Sequence, residues 1–174
     1  MTGRRIAWVA GLAVLIAGVW ILRIEREVRR PYDEQVLERK TFTARYPRGW
    51  EKVTQDPEFE RLAAFEGVDS AAGGAGLTVE DRGQAEMGSV VSEMRKKAYS
   101  VTPVAETRLG NGLEAGTWTE LTPMGELTDT SRWIVFKAPN GRVYSANYSI
   151  PAAWTTRRRL EHIYGRILAS MQFK

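Results

Sequence analysis

Residues 104–150 read VAETRLGNGLEAGTWTELTPMGELTDTSRWIVFKAPNGRVYSANYSI, and this alternation decides the fold. Val104–Leu109, Leu113–Leu121, Ser131–Ala138 and Arg142–Ile150 each alternate apolar and polar residues with the two-residue period of a strand. Asn111-Gly112 and Pro139-Asn140-Gly141 fall between them, and Asn-Gly between alternating segments is the strongest short-range hairpin signal. Pro123 and Gly125 mark a third loop. The stretch predicts an antiparallel meander.

Outward from it, the spacing changes to that of helices. Leu160, Ile163, Tyr164, Ile167, Leu168 and Met171 recur at offsets 0, 3, 4, 7, 8 and 11, one apolar face of a terminal helix. Met87, Val90, Val91, Met94 and Ala98 do the same over Glu86–Tyr99, and Arg95-Lys96-Lys97 sits at that helix's C-terminal end, where cations complement the dipole. Further upstream Phe42, Ala44 and Tyr46 alternate with Thr41, Thr43 and Arg45 into the turn Pro47-Arg48-Gly49. Trp50–Thr54, Arg61–Glu66 and Leu77–Asp81 read as more strands. The Gly/Ala-rich loop Ser70–Gly76 lacks the lysine and spacing of a phosphate-cradling loop. Strands with two amphipathic helices predict an α+β class, an antiparallel sheet flanked by helices, over residues 40–174. Residues 1–30 are set apart as an anchor and stalk, and 31–39 as a linker.

The chain has 174 residues and a formal net charge of +4. Residues 1–30 hold six Arg and two Glu, a surplus equal to that of the whole chain, so 31–174 carries nineteen of each sign. A neutral body argues against a general nucleic-acid binder. Ile6–Leu22, IAWVAGLAVLIAGVWIL, is free of charge and proline. As a helix it is about 26 Å long, the short end of what crosses a hydrocarbon core of roughly 30 Å. Trp8 and Trp20 stand near its ends as interface residues, and Arg23 and Arg26 can snorkel outward. No small-x-small site follows it, so the run reads as an uncleaved signal anchor rather than a signal peptide. Ala7, Gly11, Val14 and Gly18 form a small-residue stripe along which another transmembrane helix can approach. A charged continuation with a Glu25–Arg29 pair stops before Pro31. The positive-inside comparison is nearly balanced, and the domain is placed on the extracytoplasmic, periplasmic side of a single-pass membrane protein.

Chemistry is thin. Zero Cys and one His remove thiolate sites, and His162 falls at the edge of the last helix's apolar face, without an orienting acid. Glu80 and Asp81, as strand neighbours, face opposite sides, and Glu58 with Glu60 lies in a turn-rich stretch. No catalytic residue, cofactor or metal ligand is expected. Arg157-Arg158-Arg159 opens the last helix, where positive charge is disfavoured; it is a candidate contact for an acidic partner or lipid phosphate, or a solvated turn compensated by Glu161. Trp118 and Trp133, mid-strand, are candidate interface residues if one sheet face is open, and Trp50 is assigned to the core.

The order of elements, with a strand leading into Tyr46-Pro47-Arg48-Gly49-Trp50 and a terminal helix ending Ile167-Leu168-Ala169-Ser170-Met171-Gln172-Phe173, resembles the PsbP-like fold over about residues 40–174. That resemblance implies a non-catalytic accessory subunit held at a membrane. The anchor and the lack of metal-holding histidines depart from the soluble photosystem members, so an oxygen-evolving role does not carry over. The expected function is to bind or stabilise a larger membrane complex, photosynthetic or of the envelope, with the bilayer and other subunits as partners and no nucleic acid. The alternative is a tethered ligand- or lipid-binding sensor domain.

Overall fold

Two long hairpins organise the domain. The computed structural model describes residues 2–52, 59–64, 76–124, 127–151 and 153–174, with side chains described except at 2–13, 27, 52, 59–64, 127 and 155. The elements are α1 (Thr2–Val28), β1 (Glu34–Glu38), β2 (Phe42–Pro47), β3 (Trp50–Lys52), β4 (Phe59–Ala64), β5 (Gly76–Asp81), α2 (Met87–Lys96), β6 (Ser100–Val101), β7 (Ala105–Arg108), β8 (Glu114–Met124), β9 (Leu127–Lys137), β10 (Val143–Ser149), α3 (Trp154–Ala169) and β11 (Gln172–Phe173). The class is α+β with antiparallel sheets.

At both Asn-Gly sites the chain reverses through a loop closed by a glycine. Gly112 N–H donates to Leu109 O at 2.8 Å and Gly141 N–H to Ala138 O at 3.0 Å, with φ of 87° and 81°. Neither asparagine has positive φ, so these are not two-residue type I′ turns. Each is a wider loop whose last residue must be left-handed, which glycine adopts without steric cost. Pro123 does not end β8 as the loop expectation had it. It pairs with Thr128, beyond Leu121 where β6 stops, and a residue with an unpaired outer side loses nothing by lacking an N–H.

The larger sheet runs β3-β4-β5-β10-β9-β8-β6, with β7 also on β8; the smaller is β1-β2-β11. Alternation sends Leu77, Val79, Ile134, Phe136, Tyr144, Ala146 and Tyr148 to one face, where they pack with Phe42, Ala44 and Tyr46 of β2 and with Leu160, Ile163, Tyr164, Ile167 and Leu168 of α3. Trp50 belongs to this core, edge-to-face with Tyr164 at 5.8 Å. The opposite face presents Trp118, Val135 and Val143 to Val90 of α2. Both faces of the sheet are therefore covered along its middle.

Residues 34–38, expected as linker, form β1, pairing with β2 from Glu34↔Pro47 to Glu38↔Thr43. Gln35 secures it by donating to the carbonyls of Pro47 and Trp50 at 3.3 and 3.0 Å. Two compact units result, residues 1–31 and residues 32–174. Residues 70–75 of the Gly/Ala-rich loop, like Glu58, lie outside the described residues.

Gly110 touches the end of α3. A Cβ there would lie 2.8 Å from the Ala169 Cβ. Gly110→Ala is expected to destabilise the domain by about 1–3 kcal/mol through overpacking, and adding Ala169→Gly should restore most of it. Urea midpoints of the single and double variants check this; an unchanged midpoint in Gly110→Ala contradicts the close packing.

Asp81 joins the two sheets. Its carboxylate accepts from Arg142 Nε at 2.8 and 2.9 Å, from the Thr41 hydroxyl at 2.8 Å and from Gly83 N–H at 2.9 Å. Burial would raise its pKa, but the bonds from Arg142, Gly83 and Thr41 together outweigh it and hold the carboxyl below its ordinary value. A carboxyl depressed in the folded state contributes stability that is present above the ordinary carboxylate range and lost as pH falls through the folded value. Asp81→Asn should cost about 1–3 kcal/mol near neutrality and flatten the loss of stability between pH 5 and pH 3 relative to the parent (about one carboxyl's share). Equal acid sensitivity in both proteins would contradict this role.

Candidate functional site

The first candidate surface is α1. From Val14 to Leu22 every residue is exposed, including Leu15 at 64 %, Trp20 at 64 % and Leu22 at 71 %. Nine consecutive residues pass right round a helix of 3.6 residues per turn, so the exposed apolar surface is a full circumference rather than a stripe. Gly18 of the proposed packing stripe has open space where a Cβ would stand, and Val14 is 74 % exposed. Ala7, Trp8 and Gly11 lie outside the residues whose side chains are described. Arg23 and Arg26 are exposed, and Arg29 pairs with Glu25 at 3.3 Å as the spacing predicts. Among the described residues no helix is long and apolar enough to cross a membrane; the expected span begins at Ile6, ahead of the first described side chain of α1.

The second is the first turn of α3. No acidic residue stands in it and no side chain caps it; because the helix begins at Trp154, Arg157, Arg158 and Arg159 are its fourth to sixth residues and do not open it as expected. Arg157 Nε lies 3.3 Å from Glu161 Oε1, the compensation the spacing allows, while Arg158 lies 5.2 Å over the ring of Trp154. Arg157, Arg158 and Arg159 are all half-buried, so they hug the domain rather than extend from it. Beneath them Tyr148 stacks on Tyr164 with ring centroids 4.3 Å apart. Burial, with Glu161 adding to it, pushes the Tyr148 phenol up to about 12 against the opposing charges of Arg132 and Arg157. Tyr148 and Arg132 stand opposite each other across β10 and β9. This assembly of β9, β10 and α3 escapes sequence reasoning, because neither Arg132 nor Tyr148 sits in a motif; their meeting depends on strand register.

Trp118 is not an interface residue. It is 2 % exposed and stacks on Trp133 at 6.2 Å and 12°, because α2 closes the sheet face that the sequence reading left open. Trp133 is half-buried and donates its indole N–H to Glu120 at 2.7 Å. Arg95 and Lys97 at the end of α2 are engaged locally, with Thr102 O and Glu93. His162 is half-buried on α3. Glu80 and Asp81 separate as expected, toward Arg82 and Arg142. Among the described residues no group of three or more His, Asp or Glu could hold a metal ion. Two open clefts flank α2, one of about 380 Å³ between Met87 and Glu106–Arg108 and one of about 430 Å³ along Val91, Arg95 and Val101.

No family model matches the chain, and no curated protein does. Among solved structures it is similar to a protein of Bacteroides thetaiotaomicron VPI-5482, whose crystal structure was determined at 1.50 Å, with a TM-score of 0.57 and 8 % identity over 82 % of this chain and 48 % of that one. The chain thus spans about half the length of that protein. At this identity the likeness shows a shared fold alone.

Proposed function

We propose that the protein is a non-catalytic, single-pass membrane-anchored accessory subunit, whose α+β domain binds or stabilises a larger membrane complex. The observation that carries this reading is the exposed apolar circumference of α1 between Val14 and Leu22. Such a surface is unfavourable in water on every side, and it continues a charge-free run that reaches back to Ile6. With exposed arginines at its end, it has the profile of a bilayer span.

The anchor confines the domain to the membrane plane and so raises its effective concentration near membrane partners, without a strong contact of its own. The stripe Ala7, Gly11, Val14 and Gly18 supplies specificity within the bilayer, and the domain lies on the periplasmic side. The PsbP-like resemblance of the domain agrees with an accessory role, in a photosynthetic or an envelope complex. Extraction in a mild detergent, followed by identification of co-purifying proteins, is the test. A membrane-complex subunit is expected to co-purify and to be lost with Gly18→Leu; recovery solely as a free monomer overturns the reading.

A further inference from the structure

The face of the larger sheet beneath α3 holds an enclosed hydrogen-bond donor without an acceptor, with a phenol opposite it. Arg132 on β9 is half-buried, and its Nε is fully enclosed with no partner. Among the described residues its guanidinium has no carboxylate at ion-pair distance. Opposite it on β10, Tyr148 is 9 % exposed, and among the described residues its hydroxyl makes no hydrogen bond. A phenol is protonated at neutral pH, so it too can donate. A buried donor left unpaired is unfavourable, and a charged one more so. The Tyr148 hydroxyl is not sealed from solvent, so Arg132 alone bears this cost, and an enclosed guanidinium nitrogen beside a phenol with no protein partner is suited to an acceptor that both can reach.

Arg157 brings a further cation. Its charge and that of Arg132 act on the Tyr148 hydroxyl together, with Glu161 as the opposing charge. Glu161 is already engaged by Arg157 and leaves Arg132 unanswered. The donors come from three elements, β9, β10 and α3, so the acceptor that suits them has several oxygens pointing in different directions. A tetrahedral phosphate does; a planar carboxylate satisfies one fork at a time.

We propose that Arg132 and Tyr148, with Arg157 on the first turn of α3, form a binding site for a phosphate group, carried by a free phosphate ester or by a lipid headgroup. The site goes beyond the anchoring role and does not depend on it, since α1 contributes no residue.

The test titrates the full chain, in uncharged maltoside micelles at constant ionic strength, with inorganic phosphate against chloride, following the thermal midpoint and the heat of binding. Phosphate should raise the midpoint saturably. Tyr148→Phe should weaken binding about tenfold, one charge-assisted hydrogen bond, and Arg132→Gln should weaken it more. Arg108→Gln, at an exposed pair with Glu114, should change nothing. If Arg132→Gln does not fold, the parent and Tyr148→Phe titrations still decide. A parallel titration with dihexanoyl phosphatidic acid below its micellar concentration separates the sources: tighter binding than inorganic phosphate assigns a lipid headgroup, and equal binding a free ester. The proposal is overturned if neither compound binds the parent in preference to chloride, or if Arg132→Gln and Tyr148→Phe bind as the parent does.

Discussion

Trp118→Ala is expected to lower the unfolding free energy by about 3–5 kcal/mol, the usual range for emptying a fully enclosed aromatic site. Domains of this size have about 5–15 kcal/mol in total, so the variant should be marginal at physiological temperature. The indole fills the space between β8 and α2, touching the layer of Val90, Val135 and Val143 and stacking on Trp133. α2 has ten residues and no side-chain cap, and an isolated helix that short is unstable in water; its retention rests on this packing. Loss of Trp118 should therefore release α2 before the α3 side of the sheet, visible as faster amide exchange at Met87–Lys96 than in β10. Trp118→Phe should cost much less, because it also removes an indole N–H that is buried and, among the described residues, unpaired. Denaturant midpoints within about 0.5 kcal/mol of the parent for Trp118→Ala, the range of an ordinary surface substitution, would return Trp118 to the surface.

Leu15→Arg with Val19→Arg should remove the chain from membranes. A central arginine disfavours insertion by about 2.5–3.5 kcal/mol on the translocon scale, so the pair approaches about 5–7 kcal/mol. Leu15 and Val19 are 64 % and 57 % exposed and lie on one side of the helix, four residues apart. The variant is expected in the soluble fraction with its domain folded and its near-ultraviolet spectrum unchanged, since residues 32–174 form their own unit. Retention in the membrane pellet would show that something other than α1 holds the protein there.

What the sequence made legible was local. Alternation, turn residues and 3.6-residue spacing lie within a few positions of one another, so the β7–β8 and β9–β10 hairpins, the two domain helices and the buried Trp50 are legible, while the β8–β9 strands run on past the loop expected at Pro123. Pairings across the chain are not legible. β1 was hidden in an apparent linker because Gln35, Val36 and Leu37 make a strand only against β2. β11 has two residues, Gln172 and Phe173, whose partners are Thr43 and Phe42, and nothing so short carries a period. The sequence leaves the side of Trp118 open for a related reason: whether a strand face is covered depends on where a distant helix lands. The arginines of α3 were visible as an anomaly of charge at a helix start. Their companions Arg132 and Tyr148 were not, because they come together once β9 and β10 are in register.

The membrane anchor is the central claim, and washing isolated membranes with alkaline carbonate tests it most directly. Carbonate strips proteins held by surface charge or by partner contacts, and leaves those whose apolar helix sits in the bilayer. The full chain should stay in the pellet and enter solution when detergent is added. Complete release by carbonate alone would contradict the account.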